Sequence, residues 1–156
     1  MLPDRTREHL LLALQTTPRV LRRIIAPFPG GYPVWDIVVP GRFTAREHIA
    51  HLADWEEVFY ERAAKTIEQD QPDIPNPDET EMAIERGFAV ADPHERLEIF
   101  RERRARLVAL FRELGEEQWS RAGMHPKNGP MTLEAQAVHI LGHDGYHLDY
   151  LVRHLV

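Results

Sequence analysis

Histidine is the residue type in this 156-residue chain whose number and spacing point to chemistry. The chain has nine histidines, and His139, His143 and His147 recur at every fourth position near its C-terminal end. Side chains four positions apart on an α-helix are neighbours on one face. Two such imidazoles can bind one metal ion at about 2.0–2.1 Å each. The spacing therefore predicts a metal site; the alternative is a set of surface or hydrogen-bonded core histidines.

A second histidine pair, His48 and His51, lies in the segment EHIAHLADWE. His51 falls on one helical stripe with Trp55 and Val58, which points inward. A histidine within an apolar stripe needs a polar partner, and a metal ion can serve. A third ligand from this segment would complete a three-histidine site with open positions, the pattern of catalytic rather than structural metal sites.

Composition excludes several other chemistries. The absence of cysteine excludes thiol nucleophiles, iron–sulfur clusters and disulfides. The sole serine, Ser120, is not in a G-x-S-x-G motif, and the glycines do not form a phosphate-binding loop. The net charge of −6 disfavours nucleic-acid binding. No apolar run is long enough to span a membrane, and the first residues do not resemble a signal peptide. We expect a soluble, cytoplasmic protein without nucleic-acid or membrane partners.

Apolar residues at three- and four-residue spacing predict helices along most of the chain. Thr44, Asp92 and Thr132 are the expected N-cap residues of three of them. Pro18 predicts either a kink in the first helix or a second helix starting there. The predicted elements are long helices near residues 4–26, 45–69, 93–114 and 133–154, a short helix near 78–87, a short extended run at 35–39, and loops at 71–77 and 124–131.

This pattern predicts an all-α fold: one domain, residues 1–156, forming an up-down-type four-helix bundle with one additional short helix and no sheet of more than two short strands. The basic run at residues 101–106, interleaved with glutamates, predicts a solvated helix face. Four aromatic residues at helical spacing are expected in the core: Trp55, Phe59, Phe100 and Phe111.

Three segments, in this order, resemble the DinB/YfiT-like metalloprotein superfamily. Residues 43–56 (FTAREHIAHLADWE) are similar to its W-S-x-x-E-x-x-x-H-L-A-D-x-E segment, with Phe43 in place of tryptophan. Residues 123–133 resemble its G-x-H-P-x-x-G-x-x-T-L loop, and residues 143–148 resemble its H-D-x-x-H-L motif. The glutamine often found shortly after the last histidine is absent; Asp149 and Tyr150 stand there, so contacts to substrate differ.

The resemblance implies that His51, His143 and His147 are the metal ligands. His48 and His139, each about one turn earlier, are then alternate ligands or residues that contact the ligands. All-imidazole ligation suits zinc, nickel, iron or copper, and the sequence does not choose among these divalent ions.

The resemblance also implies a homodimer and a metal-dependent transferase, in which a low-molecular-weight thiol bound to the metal attacks a small electrophilic substrate. His139, Asp144 and Tyr146 are candidates for proton transfer. Two alternatives stay open: a non-enzymatic metal-binding or stress-response protein, and a metal-dependent hydrolase of small molecules.

Overall fold

The computed structural model describes residues 2–155 of the chain. These residues fold into five α-helices and one β-hairpin. Three short 3-10 helices lie in the connections. The helices are α1 (Asp4–Ile25), α2 (Ala45–Glu68), α3 (Glu79–Glu85), α4 (Pro93–Arg112) and α5 (Leu133–Leu155), and the strands are β1 (Ala122–His125) and β2 (Gly129–Thr132). The predicted four long helices and one short helix are confirmed.

The four long helices pack as a bundle in which α1 and α2 each contact both α4 and α5. Within the described residues, α1 and α2 make no extended contact with each other. These two consecutive helices therefore lie diagonally across the bundle. The long connection between them, residues 26–44, crosses to the other side. This order places α2, which carries His48 and His51, directly beside α5, which carries His139, His143 and His147.

Helix α1 runs through Pro18 without a break. Proline has no backbone N–H, so it cannot donate to the carbonyl of Leu14 four residues earlier. Arg104 of α4 supplies the missing donor, because its Nη1 lies 3.0 Å from the Leu14 carbonyl oxygen. Of the two alternatives that Pro18 suggested, the start of a second helix is wrong.

The predicted helix starts are confirmed by their caps. Thr44 accepts from the backbone N–H of Glu47, whose side chain accepts from the backbone N–H of Thr44. Asp92 accepts from two backbone N–H groups at the start of α4. Thr132 Oγ1 accepts from the N–H of Ala135 at 3.0 Å. Each side chain satisfies donors that have no partner inside the helix.

Two local predictions are wrong. Residues 124–131 are not a plain loop but most of an antiparallel hairpin, with His125 paired to Gly129. The hairpin turn is closed by a side chain, since His125 Nδ1 accepts from the backbone N–H groups of Lys127 and Asn128, both at 3.2 Å. The extended run expected at 35–39 starts instead as a 3-10 helix, Pro33–Asp36, in which Trp35 is buried and donates to the Pro29 carbonyl.

The core lies between the four long helices. The four aromatic residues predicted there, Trp55, Phe59, Phe100 and Phe111, are buried as expected. Within residues 2–155, no helix combines the length and the apolar character needed to cross a membrane.

Candidate metal centre

Three imidazoles from two helices converge on one point. His51 Nε2 of α2 lies 2.9 Å from His143 Nε2 of α5, and His143 Nε2 lies 3.1 Å from His147 Nε2. One ligand atom from each of the three lies within 4.8 Å of the other two. The four-residue spacing on α5 places two of the rings on one face, and the contact between α2 and α5 brings the third ring to them.

The contacts at His143 cannot both be ordinary two-centre hydrogen bonds. An imidazole nitrogen carries either one proton or one lone pair, yet His143 Nε2 is within hydrogen-bond distance of two other ring nitrogens. Three nitrogens that face one another in this way suit a cation that accepts all three lone pairs.

The separations fit one metal ion. Two nitrogens at about 2.1 Å from an ion, and at angles between about 90° and 109°, are separated by roughly 3.0–3.4 Å. The observed 3.1 Å lies within that range, and the observed 2.9 Å lies slightly below it. The donor set also fits, because all-imidazole sites bind zinc, nickel, iron or copper.

The rings of His51 and His147 are buried and that of His143 is half-buried, and all three are neutral at physiological pH. Burial, the largest cause, lowers the pKa of His51 to about 4. Burial and the neighbouring histidines also hold the pKa values of His143 and His147 far below the ordinary value of a histidine. Neutral rings keep the lone pairs that a metal ion needs.

His48 contacts the cluster from behind. Its Nδ1 lies 2.6 Å from His147 Nδ1, on the side of the ring away from the cluster. Its ring lies against that of Tyr150, with centroids 3.9 Å apart. A hydrogen bond between the two Nδ1 atoms leaves His147 Nε2 free to bind metal when His147 is the donor. His48 and His139 were expected as alternate ligands or as residues that contact the ligands. His48 does contact a candidate ligand, His147.

His139 lies outside the cluster. Its ring is on the exposed side of α5 and meets the edge of Phe59, with centroids 6.2 Å apart. It is not among the residues that line the cavity at the cluster. The structure therefore does not include His139 in the cluster of His51, His143 and His147.

A cavity of about 630 Å³ opens beside the cluster. His48 and the three converging histidines lie on one side of it, and the connection before α2 forms the other side. The remaining lining residues are Val38, Val39, Pro40, Gly41, Arg42, Phe43, Glu79, Thr80 and Tyr146. The cavity has room for a small molecule next to the point where the three nitrogens converge.

Of the proton-transfer candidates, Tyr146 lines the cavity and accepts a hydrogen bond from Arg42. Asp144 does not: its side chain is fully buried, and both carboxylate oxygens accept from Arg104, at 2.5 and 2.8 Å. Helix α5 projects Asp144 into the bundle, because it directly follows His143 and so lies about 100° away around the helix. Asp144 therefore forms a buried ion pair with Arg104 and does not face the cavity.

The sequence of this chain matches a family over nearly its whole length. The sequence model of the DinB superfamily matches residues 4–151.

The chain belongs to the DinB superfamily.

Two relatives in this superfamily carry provisional names as metal-dependent hydrolases. YfiT of Bacillus subtilis is 29% identical over 112 residues, and OB0413 of Oceanobacillus iheyensis is 26% identical over 113 residues. Each alignment covers 71% of this chain but only 63% and 64% of the relatives, so the chain matches a little under two thirds of their length.

The solved structure of B. subtilis YfiT superposes with a TM-score of 0.86 at 25% identity, covering 98% of this chain and 89% of that one. Its description gives it as a metal-dependent hydrolase, provisionally, and as a four-helix bundle of unusual topology. The DinB/YfiT resemblance and the four-helix bundle expected from the sequence are therefore confirmed.

Sequence reasoning about the basic run at 101–106 is wrong for one residue. Arg104 is 1% exposed and is held by both oxygens of Glu56, at 2.8 and 2.7 Å, as well as by Asp144. The burial of Arg104 could have been predicted from its position in α4, because it lies on the same inward-facing stripe as apolar residues. That stripe is Leu97, Phe100, Arg104, Leu107 and Phe111, all buried.

Gly142 and Gly145, the two glycines beside the α5 histidines, face open space. An added Cβ at Gly142 or Gly145 would meet nothing within 4 Å in the described chain.

Arg42 was not singled out from the sequence, since an arginine in a connection gives no local signal of what it faces.

Proposed function

We propose that this DinB-superfamily protein binds one divalent transition-metal ion through Nε2 of His51, His143 and His147. We further propose that it transfers a low-molecular-weight thiol to small electrophiles in the adjoining cavity. The observation that carries the metal-binding proposal is the convergence at one point of three neutral imidazole nitrogens, from two buried rings and one half-buried ring. Relatives named as metal-dependent support it.

When bound, a divalent ion lowers the pKa of a thiol or a water molecule bound to it and so supplies a nucleophile at neutral pH. The chain itself supplies the rest of the site. With Nδ1–H of His147 as the donor, Nδ1 of His48 accepts a hydrogen bond and so fixes the tautomer in which the unprotonated Nε2 of His147 faces the cluster. The ring of Phe43 lies against His51, with centroids 5.5 Å apart, and limits access of water from the side of the connection.

Hydrolysis is the second candidate, and the provisional names of the relatives favour it. Both activities need the same metal and the same cavity, so the histidine geometry does not separate them. They differ in the second reactant, which is a thiol in one case and water in the other.

A cobalt-substituted protein separates the two activities. Addition of a thiol such as 2-mercaptoethanol should change the visible absorption spectrum of the cobalt form if thiol transfer is the function. An unchanged spectrum together with turnover of a small ester would support hydrolysis instead. If neither response occurs while cobalt is bound, a metal-binding or stress-response protein without catalysis is the better account.

Two variants make this experiment specific. His51→Ala removes one of the converging nitrogens and should abolish the thiol-dependent spectral change. His9→Ala removes an exposed histidine of α1 and should leave it intact. Equal responses in both variants would contradict the proposed site.

We also propose that the protein is a homodimer through its helix faces. Light scattering at micromolar concentration should give twice the 18.1 kDa mass of the chain. A monomer under these conditions would contradict the proposal.

A further inference from the structure

The cavity lining contains one basic and one acidic side chain besides its histidines. Arg42 is its arginine and Glu79 its carboxylate, and the four histidines that line it have pKa values lowered by burial. Within residues 2–155, Arg42 forms no ion pair, unlike Arg46 on the next helix, which is paired with Asp36. A guanidinium stays protonated at all relevant pH values. Its positive charge is therefore available to a ligand.

Arg42 is held in place by Tyr146 of α5. Its Nη1 donates to the Tyr146 hydroxyl oxygen, and its guanidinium carbon lies 5.7 Å from the centroid of that ring. The same ring lies 5.1 Å from the ring of His147, centroid to centroid. The guanidinium thus lies at the side of the cavity next to the histidine cluster, at its solvent-exposed opening.

The pair offers donors and no free acceptor of comparable strength. The Tyr146 oxygen accepts from Arg42, which leaves its own O–H to donate elsewhere. The guanidinium has further N–H groups in a planar fork that matches a carboxylate. Val38, Val39 and Pro40, which belong to the same connection as Arg42, give the cavity an apolar lining suited to a short hydrocarbon chain.

We propose that Arg42 and Tyr146 bind the carboxylate of a small-molecule substrate whose reacting end lies at the three histidines. The position of the reacting end rests on the function proposed above, whereas binding of the carboxylate by Arg42 does not require the metal. The carboxylate belongs either to the thiol or to the molecule that the thiol attacks.

Two matched pairs of probes test this inference on the zinc-loaded protein by NMR chemical-shift titration. The thiol pair is 3-mercaptopropionate and 3-mercapto-1-propanol, and the second pair is butyrate and 1-butanol. We expect the carboxylate to bind about tenfold more tightly than the alcohol in at least one pair, the range expected of a charge-assisted, solvent-exposed contact. A preference confined to the thiol pair assigns the carboxylate to the thiol, and one confined to the second pair assigns it to the acceptor.

Arg42→Gln should remove the preference without changing the zinc content or the affinity for the alcohols. Arg42→Lys should retain part of it, because the charge remains and the fork is lost. Arg19→Gln, which removes one positive charge from an exposed position of α1, is the matched control and should retain all of it. No preference in either pair, a preference that survives Arg42→Gln, or an equal loss in Arg19→Gln would overturn the inference.

The same design separates this inference from the proposed function. The butyrate pair is also measured on the metal-free protein, where an Arg42-dependent preference supports the inference independently of metal. If zinc does not bind to the wild-type protein, the proposed function fails, and this measurement alone decides the role of Arg42: an Arg42-dependent preference upholds it and no preference refutes it.

Discussion

The histidines around the cavity differ in which nitrogen faces the cluster, and this difference predicts how alanine variants will rank. His51→Ala, His143→Ala and His147→Ala each remove an Nε2 atom and should lose most of the zinc affinity. His48→Ala keeps all three Nε2 atoms but removes the partner of His147 Nδ1, so we expect a loss of about 10–100-fold. His139→Ala should lose less zinc affinity than His48→Ala. Competition with a chromophoric chelator measures all five.

The ranking is contradicted by one outcome in particular. If His51→Ala keeps full zinc affinity while His48→Ala loses it, the metal is bound through the other imidazole of α2. The exposed His9 provides the control, since His9→Ala should bind zinc as the wild type does.

Protonation of the same rings predicts how stability depends on pH. Burial lowers the pKa of His48 to about 3 and that of His51 to about 4, whereas in the unfolded chain both are near 6.5. The unfolded state therefore binds more protons below pH 6.5. The stability of the metal-free protein is fully present above pH 6.5 and falls toward pH 4, by up to about 1.4 kcal/mol per pH unit for each ring.

Urea denaturation of the metal-free protein at pH 5, 6 and 7 tests this dependence. Carboxylates also contribute below pH 5, so the informative comparison is with His51→Asn, whose slope between pH 5 and 6 should be smaller by about one proton. Equal slopes in the two proteins would show that the buried imidazole does not determine the pH dependence.

At the scale of the elements, one buried arginine joins all four long helices. Arg104 of α4 donates to Glu56 of α2, to Asp144 of α5 and to the Leu14 carbonyl of α1. Two of these partners are close in sequence to the histidines, since Asp144 follows His143 and Glu56 lies about one turn after His51. The network thereby fixes how α2 and α5 lie against each other.

Arg104→Met should destabilise the protein by about 3–5 kcal/mol, because it leaves two buried carboxylates without a counter-charge. Arg103→Met is the matched control. Arg103 is more exposed, and its partner Asp54 is also within 3.3 Å of Arg96, so this variant should cost much less. Urea denaturation followed by circular dichroism measures both. Equal losses would mean that the buried network has no special weight.

The sequence allowed prediction of those elements whose signals are local. The caps at Thr44, Asp92 and Thr132 depend on residues within three positions, and they marked the helix starts correctly. The hairpin was missed because its turn is closed by the ring of His125, and because the prolines and the glycine nearby are typical of a loop. The pairing of Arg104 was missed because its partners are 48 and 40 residues away.

The site follows the same division. The spacing of the α5 histidines is local, and it placed two of the three converging rings. The choice between His48 and His51 depends on how α2 lies against α5, and the family resemblance supplied it, not the spacing. The role of Arg42 depends on a connection that folds over the cavity, for which the sequence carries no periodic signal.

At the scale of the whole molecule, the histidine cluster joins two neighbouring helices of the bundle that are far apart in sequence. A ligand that binds only to the folded state stabilises it by RT ln(1 + [L]/Kd), which is about 2.7 kcal/mol at a hundredfold excess over Kd. The large core between the helices should keep the metal-free protein folded. Removal of the metal with a chelator should therefore lower Tm without abolishing the transition.

Circular dichroism melts with and without chelator, combined with metal analysis, measure this coupling. The coupling is absent if Tm stays constant while bound metal is lost. Loss of the cooperative transition on chelation would show instead that the metal is required for folding.

A crystal of the metal-loaded protein tests most directly whether one metal ion is bound by Nε2 of His51, His143 and His147. Anomalous scattering at the absorption edge of the bound metal should give one strong peak, about 2.0–2.2 Å from Nε2 of His51, His143 and His147. A peak bound by His48 or His139, or no peak near the α2–α5 contact in protein that contains metal, would contradict the account.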